Sequence, residues 1–491
     1  MSSTGLCSRR DFLRQSAAQV AAVSVLAAMP GCGRAPAPVR TKEIPDRLIL
    51  VTLDTLRQDH LEYFGYPRST APFLANLAER SVVFENAICS CSNTTPAHTS
   101  LLSGLHPPQH KMFHNSYDHL TPGLFMMADM FRDAGYDTAA FCSVVWMRVF
   151  EQGFAHFDSF KEKYIQDESE RRYYRQAPQT AGLALDWLKQ RRADDRFFLW
   201  IHLYDPHDPY VAPPECQQAM QFRNAADKDK MFAFWTEQQK QTIDCYDGDR
   251  ERFIEAQCGY DAEILHLDQP LRQLYEYCQK AGLNQNALWL FTADHGEGMG
   301  NHALQGHGQH IYNEQIDCLL MVHAPDGRFA PRHVPDKVQH VDLMPTLASI
   351  YGASLEKQQM EIQGDSLVPL LHGEKNALPP RTLFCQRRKK IGTNFSKDWP
   401  DDPIYCAVDR DCKYIRREKI TDEFYRFKDD PRELQNLAEQ ALSESDAETR
   451  GKMREQAQAM YETLTRDGDA ATENPVGHEH DEALKGLGYL S

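Results

Sequence analysis

Thr94-Thr95-Pro96-Ala97-His98-Thr99-Ser100-Leu101-Leu102-Ser103-Gly104 is the stretch best equipped for chemistry. Pro96 suits the first position of a helix, so Thr94 is predicted just outside a helix N-terminus, where unpaired N–H groups and the helix dipole favour an anion. A hydroxyl placed there can react as an alkoxide. Alone, the stretch reads as an ordinary threonine cap. Its company changes that reading: Thr52-Leu53-Asp54-Thr55-Leu56-Arg57 lies upstream and Phe291-Thr292-Ala293-Asp294-His295-Gly296-Glu297 downstream, each with an acid where an apolar run ends. Asp54, Thr94, Asp294 and His295 would form a four-ligand site for a cation that lowers the pKa of the hydroxyl. One aspartate at a strand end is usually a turn cap; all of these groups together are not explained that way.

Leu203-Tyr204-Asp205-Pro206-His207-Asp208-Pro209-Tyr210 and Gly306-His307-Gly308-Gln309-His310 add histidines able to hold ester oxygens or to protonate a leaving group. His202 and His302 read instead as structural. A second metal held by Asp205, His207 and His310 is an alternative ranked below a single ion. No Gly-x-Ser-x-Gly elbow, Gly-x-x-x-x-Gly-Lys loop or His-Glu-x-x-His helix occurs, which demotes serine hydrolase, nucleotide-loop enzyme and zincin.

These residues need a frame. The apolar run 48–53 predicts a strand buried on both faces, as in a parallel sheet covered by helices. Helices are predicted over 70–80, with Pro72 at the start, and over 121–134, with Pro122 at the start and Gly135 at the end. Strands follow at 138–142, 197–202 and 287–292, with a long helix over 260–281 between the last two. This alternation predicts an α/β fold, a doubly wound and mostly parallel sheet sandwiched by helices, whose ligands gather beyond the carboxyl ends of the strands. Asp54, Asp205, His207, Asp294 and His295 all fall there. From about residue 380 the texture changes to short strand-like runs at 382–386, 404–408, 412–416 and 423–427, which predict a smaller C-terminal antiparallel α+β domain. The expected divisions are a signal segment at 1–31, a linker at 32–45, a catalytic domain at 46–375, a small subdomain at 380–445 and a polar helical tail at 446–491.

Composition sets outer bounds. The chain has 491 residues, 42% hydrophobic, enough to bury a large core. Its formal charge of −16 argues against nucleic acid as a partner, because phosphate-backbone binders gather Lys and Arg. A small anionic substrate is compatible if a bound cation offsets the field locally. Ser8-Arg9-Arg10-Asp11-Phe12-Leu13-Arg14, followed by an apolar run over 17–29 too short to span a bilayer comfortably, resembles a twin-arginine export signal. The expected partner is therefore the twin-arginine export machinery, and the expected location periplasmic or extracytoplasmic. Membrane association is expected only if Cys32 is lipidated, which is the alternative localisation. Of the 13 cysteines, Cys7 would leave with the signal, so parity says nothing about disulfides; Cys406 and Cys412 are predicted to face each other across a hairpin.

From about residue 46 onward the chain resembles the sulfatase family of the alkaline phosphatase superfamily. The resemblance rests on Leu53-Asp54-Thr55-Leu56-Arg57, Tyr63-Phe64-Gly65-Tyr66, Thr70-Ala71-Pro72, Asp294-His295-Gly296-Glu297, Val341-Asp342-Leu343-Met344-Pro345-Thr346, Gly364-Asp365-Ser366-Leu367 and Leu487-Gly488-Tyr489-Leu490. It implies a metal bound through Asp54, Thr94, Asp294 and His295, with His207 and His307 near the substrate and, beside them, His98, Asn115 and His310 as substrate contacts. The departures are as telling. Typical sulfatases carry Cys-x-Pro-Ser-Arg, whose cysteine becomes formylglycine; here the register gives Thr94, Ala97 and His98, while Cys89 and Cys91 lie out of place. The family's second Asp is Thr55, its Asn is His295, its Gly-Lys is Cys142-Ser143 and its late Lys is His307. An all-oxygen set suited to Ca²⁺ has thus gained nitrogen, which favours Zn²⁺ or Mn²⁺, with Ca²⁺ or Mg²⁺ as alternatives. No formylglycine is expected. Threonine has a methyl group on its β-carbon and cannot give an aldehyde hydrate, yet it can form a phosphoenzyme. The reading is a metal-dependent ester hydrolase with Thr94 as nucleophile, His207 and His307 as catalytic partners, and phosphoesters preferred. The alternatives are a formylglycine-independent sulfatase and a lapsed metal- and anion-binding protein.

Overall fold

The computed structural model describes residues 44–115, 120–160, 174–387, 403–417 and 421–465. The signal segment, Cys32, nearly all of the linker and the 487–490 motif lie outside them.

Three apolar runs make the centre. Strands β1 (Arg47–Leu53), β5 (Phe197–Leu203) and β6 (Ala287–Ala293) are buried at every position and pair in parallel, β1 lying between the other two. Around them β2 (Val82–Ile88), β3 (Asp137–Cys142), β4 (His156–Ser159), β9 (Asp317–His323) and β10 (Arg332–Gln339) complete an eight-stranded sheet in the order β10-β2-β9-β6-β1-β5-β3-β4. Only β9 runs against its neighbours. The mostly parallel sheet expected from the sequence is present.

Alternation along β1 shows why both faces must be covered. Leu48 and Leu50 enter one core with Met127, Phe131, Leu343 and Leu347. Ile49, Val51 and Leu53 enter the other, with Leu74, Ala181, Tyr260 and Leu271. The first face is roofed by helices α2 (Thr94–Ser103), α3 (Met127–Asp133) and α6 (Leu343–Tyr351); the second by α1 (Pro72–Ala78), α4 (Ala177–Leu188) and α5 (Arg250–Lys280). A short ribbon of β7 (Gly298–Met299) and β8 (Gln305–Gly306) follows the acid at the end of β6.

Two helix boundaries differ from the sequence reading. The helix expected from residue 121 begins at Met127, because Pro122 and Gly123 form a turn instead: Leu124 N–H donates to Thr121 C=O at 3.0 Å and Gly123 has φ +79°, the pattern of a type II turn. Helix α5 begins at Arg250, ten residues ahead of the expected start, because the Asp249 carboxylate caps it by accepting from the Glu251 and Arg252 N–H groups.

Strands β11 (Leu383–Arg387), β12 (Ile404–Val408), β13 (Cys412–Arg417) and β14 (Glu423–Arg426) form the expected antiparallel sheet in sequential order. Tyr405, Tyr414 and Phe424 pack under helix α7 (Glu444–Thr465), whereas Cys385, Ile404, Cys406 and Ile415 join the second core of the large sheet. The expectation for Cys406 and Cys412 is corrected by the register. Cys406 lies opposite Ile415 on one side and Cys385 on the other, and every described cysteine is a free thiol.

Candidate active site

The ends of β1 and β6 lie side by side, so the residues that follow them meet. Asp54 is pinned to the neighbouring strand by its N–H, which donates to Leu203 C=O at 3.0 Å. Thr55 then turns with φ 58°, an unfavourable conformation for a β-branched residue, and its N–H donates to Asp294 Oδ1 at 3.1 Å. Gly296 lets the next loop pass, since a Cβ there would stand 2.1 Å from Glu314 O. Candidate ligand atoms of Asp54, Asp294 and His295 all lie within 4.8 Å of one another, and the three side chains are fully buried.

Thr94 is the first residue of α2, with Asn93 as an extended N-cap that makes no side-chain cap bond. The helix therefore begins two residues before Pro96, and the threonine sits on its N-terminus instead of just outside it. The Asn115 carboxamide oxygen accepts from Thr95 N–H at 2.9 Å, and its Nδ2 is buried without a partner. Thr94 Oγ1 lies 3.3 Å from His295 Nε2.

The donor set fits a divalent cation. Both oxygens of Asp54 and Oδ2 of Asp294 are buried without hydrogen-bond partners, and burial without a counter-charge is costly for carboxylates. Burial and the charge of Asp294 push the Asp54 carboxyl well up, as expected of two acids without a cation between them. His295 Nδ1 faces the Gly296 carbonyl at 3.0 Å and must donate to it. That leaves Nε2 with its lone pair toward Thr94 and the carboxylates, 3.8 Å from Asp54 Oδ1 and 3.5 Å from Asp294 Oδ2. Burial lowers the His295 pKa, but the two aspartates outweigh it and raise it. Two carboxylates, one correctly presented imidazole and a hydroxyl suit an ion that takes mixed O and N ligands.

His207 and His307 border this set. The rings of His295 and His307 are 4.5 Å apart, those of His307 and His207 4.8 Å. His207 Nδ1 donates to Asp208 C=O and its ring stacks on Tyr204 at 4.2 Å, while His307 Nδ1 is 3.3 Å from both Glu297 oxygens. Burial holds His207 down to about 3 and His307 well below the usual histidine range, so both are neutral near pH 7. Burial pushes Glu297 up to about 7 against the pull of His207, His295 and Arg57.

Two expectations need correction. His98 is fully buried behind Thr94: Nδ1 donates to Thr94 C=O at 2.8 Å and Nε2 meets Thr52 Oγ1 at 3.0 Å. The second-metal set is not assembled either. Asp205 Oδ2 accepts from Ala177 N–H at 2.8 Å, and the carboxyl pairs with Glu263, which helps to hold a proton in that pair. His310 Nδ1 accepts from Arg417 at 3.1 Å, a cation where a metal would need none. Among the described residues, Asp54, Asp294 and His295 are the only His, Cys, Asp or Glu group close enough to share an ion.

Other motif residues hold the frame. Asp342 accepts from Gln339 N–H, Asp365 N–H and Arg381, which joins the 341–346 and 364–367 segments. Arg57 donates to Glu297 C=O and to Asn301, and so fixes the loop after His295. Two site residues escaped the sequence reading: Glu297, quoted in its motif without a role, and His202, whose Nε2 lies 3.5 Å from Asp54 Oδ2.

Comparison with known proteins agrees with this geometry. The sequence profile of the sulfatase family matches residues 46–353. The chain is 23% identical over 435 residues to an uncharacterised sulfatase, YidJ, of Escherichia coli, spanning 76% of this chain and 79% of that one. It is 22% identical to the choline-sulfatase of Rhizobium meliloti over 80% of this chain and 82% of that one. The phosphonate monoester hydrolase of Agrobacterium radiobacter has the same fold, with a TM-score of 0.67 and 18% identity over 86% of this chain and 96% of its own. With the profile covering more than half of its length, the chain belongs to the sulfatase family, within the alkaline phosphatase superfamily of ester-bond hydrolases.

Proposed function

We propose that this protein is an exported, metal-dependent hydrolase of small anionic esters in which Thr94 is the nucleophile and phosphoesters are preferred over sulfates. The observation that carries the reading is the Thr94 hydroxyl, at a helix N-terminus and 3.3 Å from His295 Nε2, beside two buried carboxylates of which both Asp54 oxygens and Asp294 Oδ2 have no hydrogen-bond partner.

A divalent ion held by Asp54, Thr94, Asp294 and His295, with Zn²⁺ or Mn²⁺ favoured, would lower the pKa of the hydroxyl and neutralise charge on the ester oxygens. Thr94 Oγ1 attacks the ester phosphorus, the bond to the leaving alcohol breaks, and the phosphoryl group stays on Thr94 until water removes it. With Thr95 N–H held by Asn115 Oδ1, Pro96 lacking an N–H and Ala97 N–H bonded to Asn93 C=O, the Thr94 N–H at the start of α2 and the unpartnered Asn115 Nδ2 would be the groups to meet the developing negative charge. His307 and His207, neutral and side by side, would accept the proton that Thr94 gives up on attack and return it to the leaving oxygen.

Thr94 cannot carry the two geminal hydroxyls of an aldehyde hydrate, and the cysteines nearby do not replace it. Cys89 is fully buried, and Cys91, 2% exposed, points its thiol toward Asn93 Oδ1. Mass spectrometry of a peptide spanning residues 81–105 is expected to show Cys89, Cys91 and Thr94 unmodified; an aldehyde at either cysteine would overturn the register. Matched aryl phosphate and sulfate esters assayed with Zn²⁺ or Mn²⁺ test the preference. Faster phosphate turnover, lost by about three orders of magnitude or more in Thr94→Ala and partly kept in Thr94→Ser, is expected. Robust sulfate turnover without phosphoesterase activity would favour a formylglycine-independent sulfatase, and absence of any turnover the binding-protein reading. Export through the twin-arginine machinery, with Cys32 as an anchor in the alternative, is supported by the arginine pair and the apolar run after it.

A further inference from the structure

Each carboxylate of the cation site has a histidine behind it. His98 Nδ1 stands 3.5 Å from Asp294 Oδ2, and His202 Nε2 stands 3.5 Å from Asp54 Oδ2. The two rings are 5.0 Å apart, edge toward face, and both are fully buried.

Their surroundings differ. His98 is anchored: the Thr94 carbonyl can only accept, so Nδ1 carries the proton and Nε2 accepts from the Thr52 hydroxyl, whose oxygen in turn accepts from Trp200 Nε1–H at 3.0 Å. His202 has no such anchor. Among the described residues it is the one histidine whose two ring nitrogens are both buried without a hydrogen-bond partner. A polar ring in that position is costly to keep unless something is bound that makes use of it. The carboxylate it faces, Asp54, has both of its oxygens unpartnered as well. Its strand register is fixed, with His202 beside Thr52, two residues before Asp54, in the β1–β5 ladder. The ring is therefore held at the carboxylate by the sheet itself.

We propose that His202 is a positioning residue for the metal: its Nε2–H donates to Asp54 Oδ2 and holds that carboxylate, ionised and in one orientation, for the cation. His202 lies outside the proposed ligand set of Asp54, Thr94, Asp294 and His295, and outside the Asp54, Asp294 and His295 group whose ligand atoms lie within 4.8 Å of one another. Outer partners of this kind usually back histidine ligands with carboxylates; here the roles are exchanged, and the same loss of about 10–100-fold in metal affinity on removal applies. The inference rests on the metal-dependent reading of the site.

The test is metal affinity, measured on the full chain after chelation by competition with a chromophoric chelator for Zn²⁺ and Mn²⁺. His202→Phe keeps the ring and removes both nitrogens; it is expected to bind about 10–100-fold more weakly, while the melting temperature of the metal-free protein holds or rises because an unpartnered polar group has gone. His202→Asn keeps an N–H donor and is expected to recover part of the affinity, and His202→Leu to match the Phe variant should that one fail to fold. A merely structural histidine gives the reverse pattern, a lower melting temperature of the metal-free protein with unchanged affinity, and that result overturns the inference. Asp54→Asn separates the two levels. If it binds metal as well as wild type, or wild type binds none, the metal reading fails. If it loses binding and His202→Phe does not, the role of His202 alone fails.

Discussion

The two walls of the site are built in opposite ways. On one, Asp54, Asp294 and His295 follow the ends of buried parallel strands, Asp54 N–H is pinned to Leu203 C=O, Asp294 Oδ1 holds the Thr55 and His295 N–H groups, and both Asp54 oxygens and Asp294 Oδ2 are left unpaired. On the other, His207, His307 and His310 ride on loops, and each has a protein partner: Asp208 C=O, Glu297 and Arg417. A cation needs ligands whose lone pairs are unspent and whose positions do not move. A substrate that must enter, react and leave needs groups that exchange partners cheaply. On the proposed reading, this contrast suits the strand-end wall to the metal and the loop wall to the ester.

Chelation is the strongest way to break this division, since it attacks only the first wall. Activity is expected to vanish and to return with Zn²⁺ or Mn²⁺ better than with Ca²⁺, and Asp294→Asn to abolish it irreversibly. A fully active metal-free protein would remove the distinction altogether. Next in size is the loop wall itself. His307→Ala is expected to lose about 10²-fold with a poor leaving group such as an alkyl ester and far less with p-nitrophenol, which departs without a proton. His310→Ala, whose ring already serves Arg417, is expected to lose less than about tenfold with either. Equal losses for the two histidines and the two esters would show that the wall positions loops and donates nothing.

The sequence exposed the first wall better than the second, for a physical reason. Uninterrupted apolar runs such as 48–53 and 287–293 have no other home than the middle of a sheet, and an acid at the end of each is then forced to the carboxyl edge. Edge strands carry no such signal: β10 contains Pro335 at a bulge and alternates with charges, and β4 has four residues. Loop side chains are less legible still. Nothing in Asp205-Pro206-His207 says that Asp205 turns to the start of α4 and to Glu263 while His207 turns to His307. His202 was hidden by its setting, since a histidine inside an apolar strand ordinarily reads as a satisfied core residue; its missing partners become visible only once Asp54 is placed beside it.

The smallest effect concerns what keeps the loop wall in place, and it sharpens the comparison because it touches stability without touching chemistry. His302 lies between the site loop and the small sheet: Nδ1 meets Glu314 Oε1 at 2.8 Å, Nε2 meets Glu433 C=O at 2.9 Å, and the ring stacks on Tyr312 at 3.8 Å. Both nitrogens therefore donate, and the ring is charged. Burial alone would lower its pKa, but Glu314 and the carbonyl of Glu433 outweigh it and raise it to about 9. A pKa raised on folding adds stability that is complete below the unfolded value of about 6.5 and is lost as pH climbs through about 9. Unfolding in urea at pH 6 and pH 10 is expected to show a decline of about 3 kcal/mol from this group, absent in His302→Gln, which keeps a donor but no charge. At pH 6 the variant is expected to be the less stable protein and at pH 10 nearly equal to wild type, with turnover at pH 7 close to unchanged. A large loss of turnover would mean that the loop wall depends on this clamp for its geometry, and that the freedom attributed to it is smaller than the contrast with the strand-end wall requires.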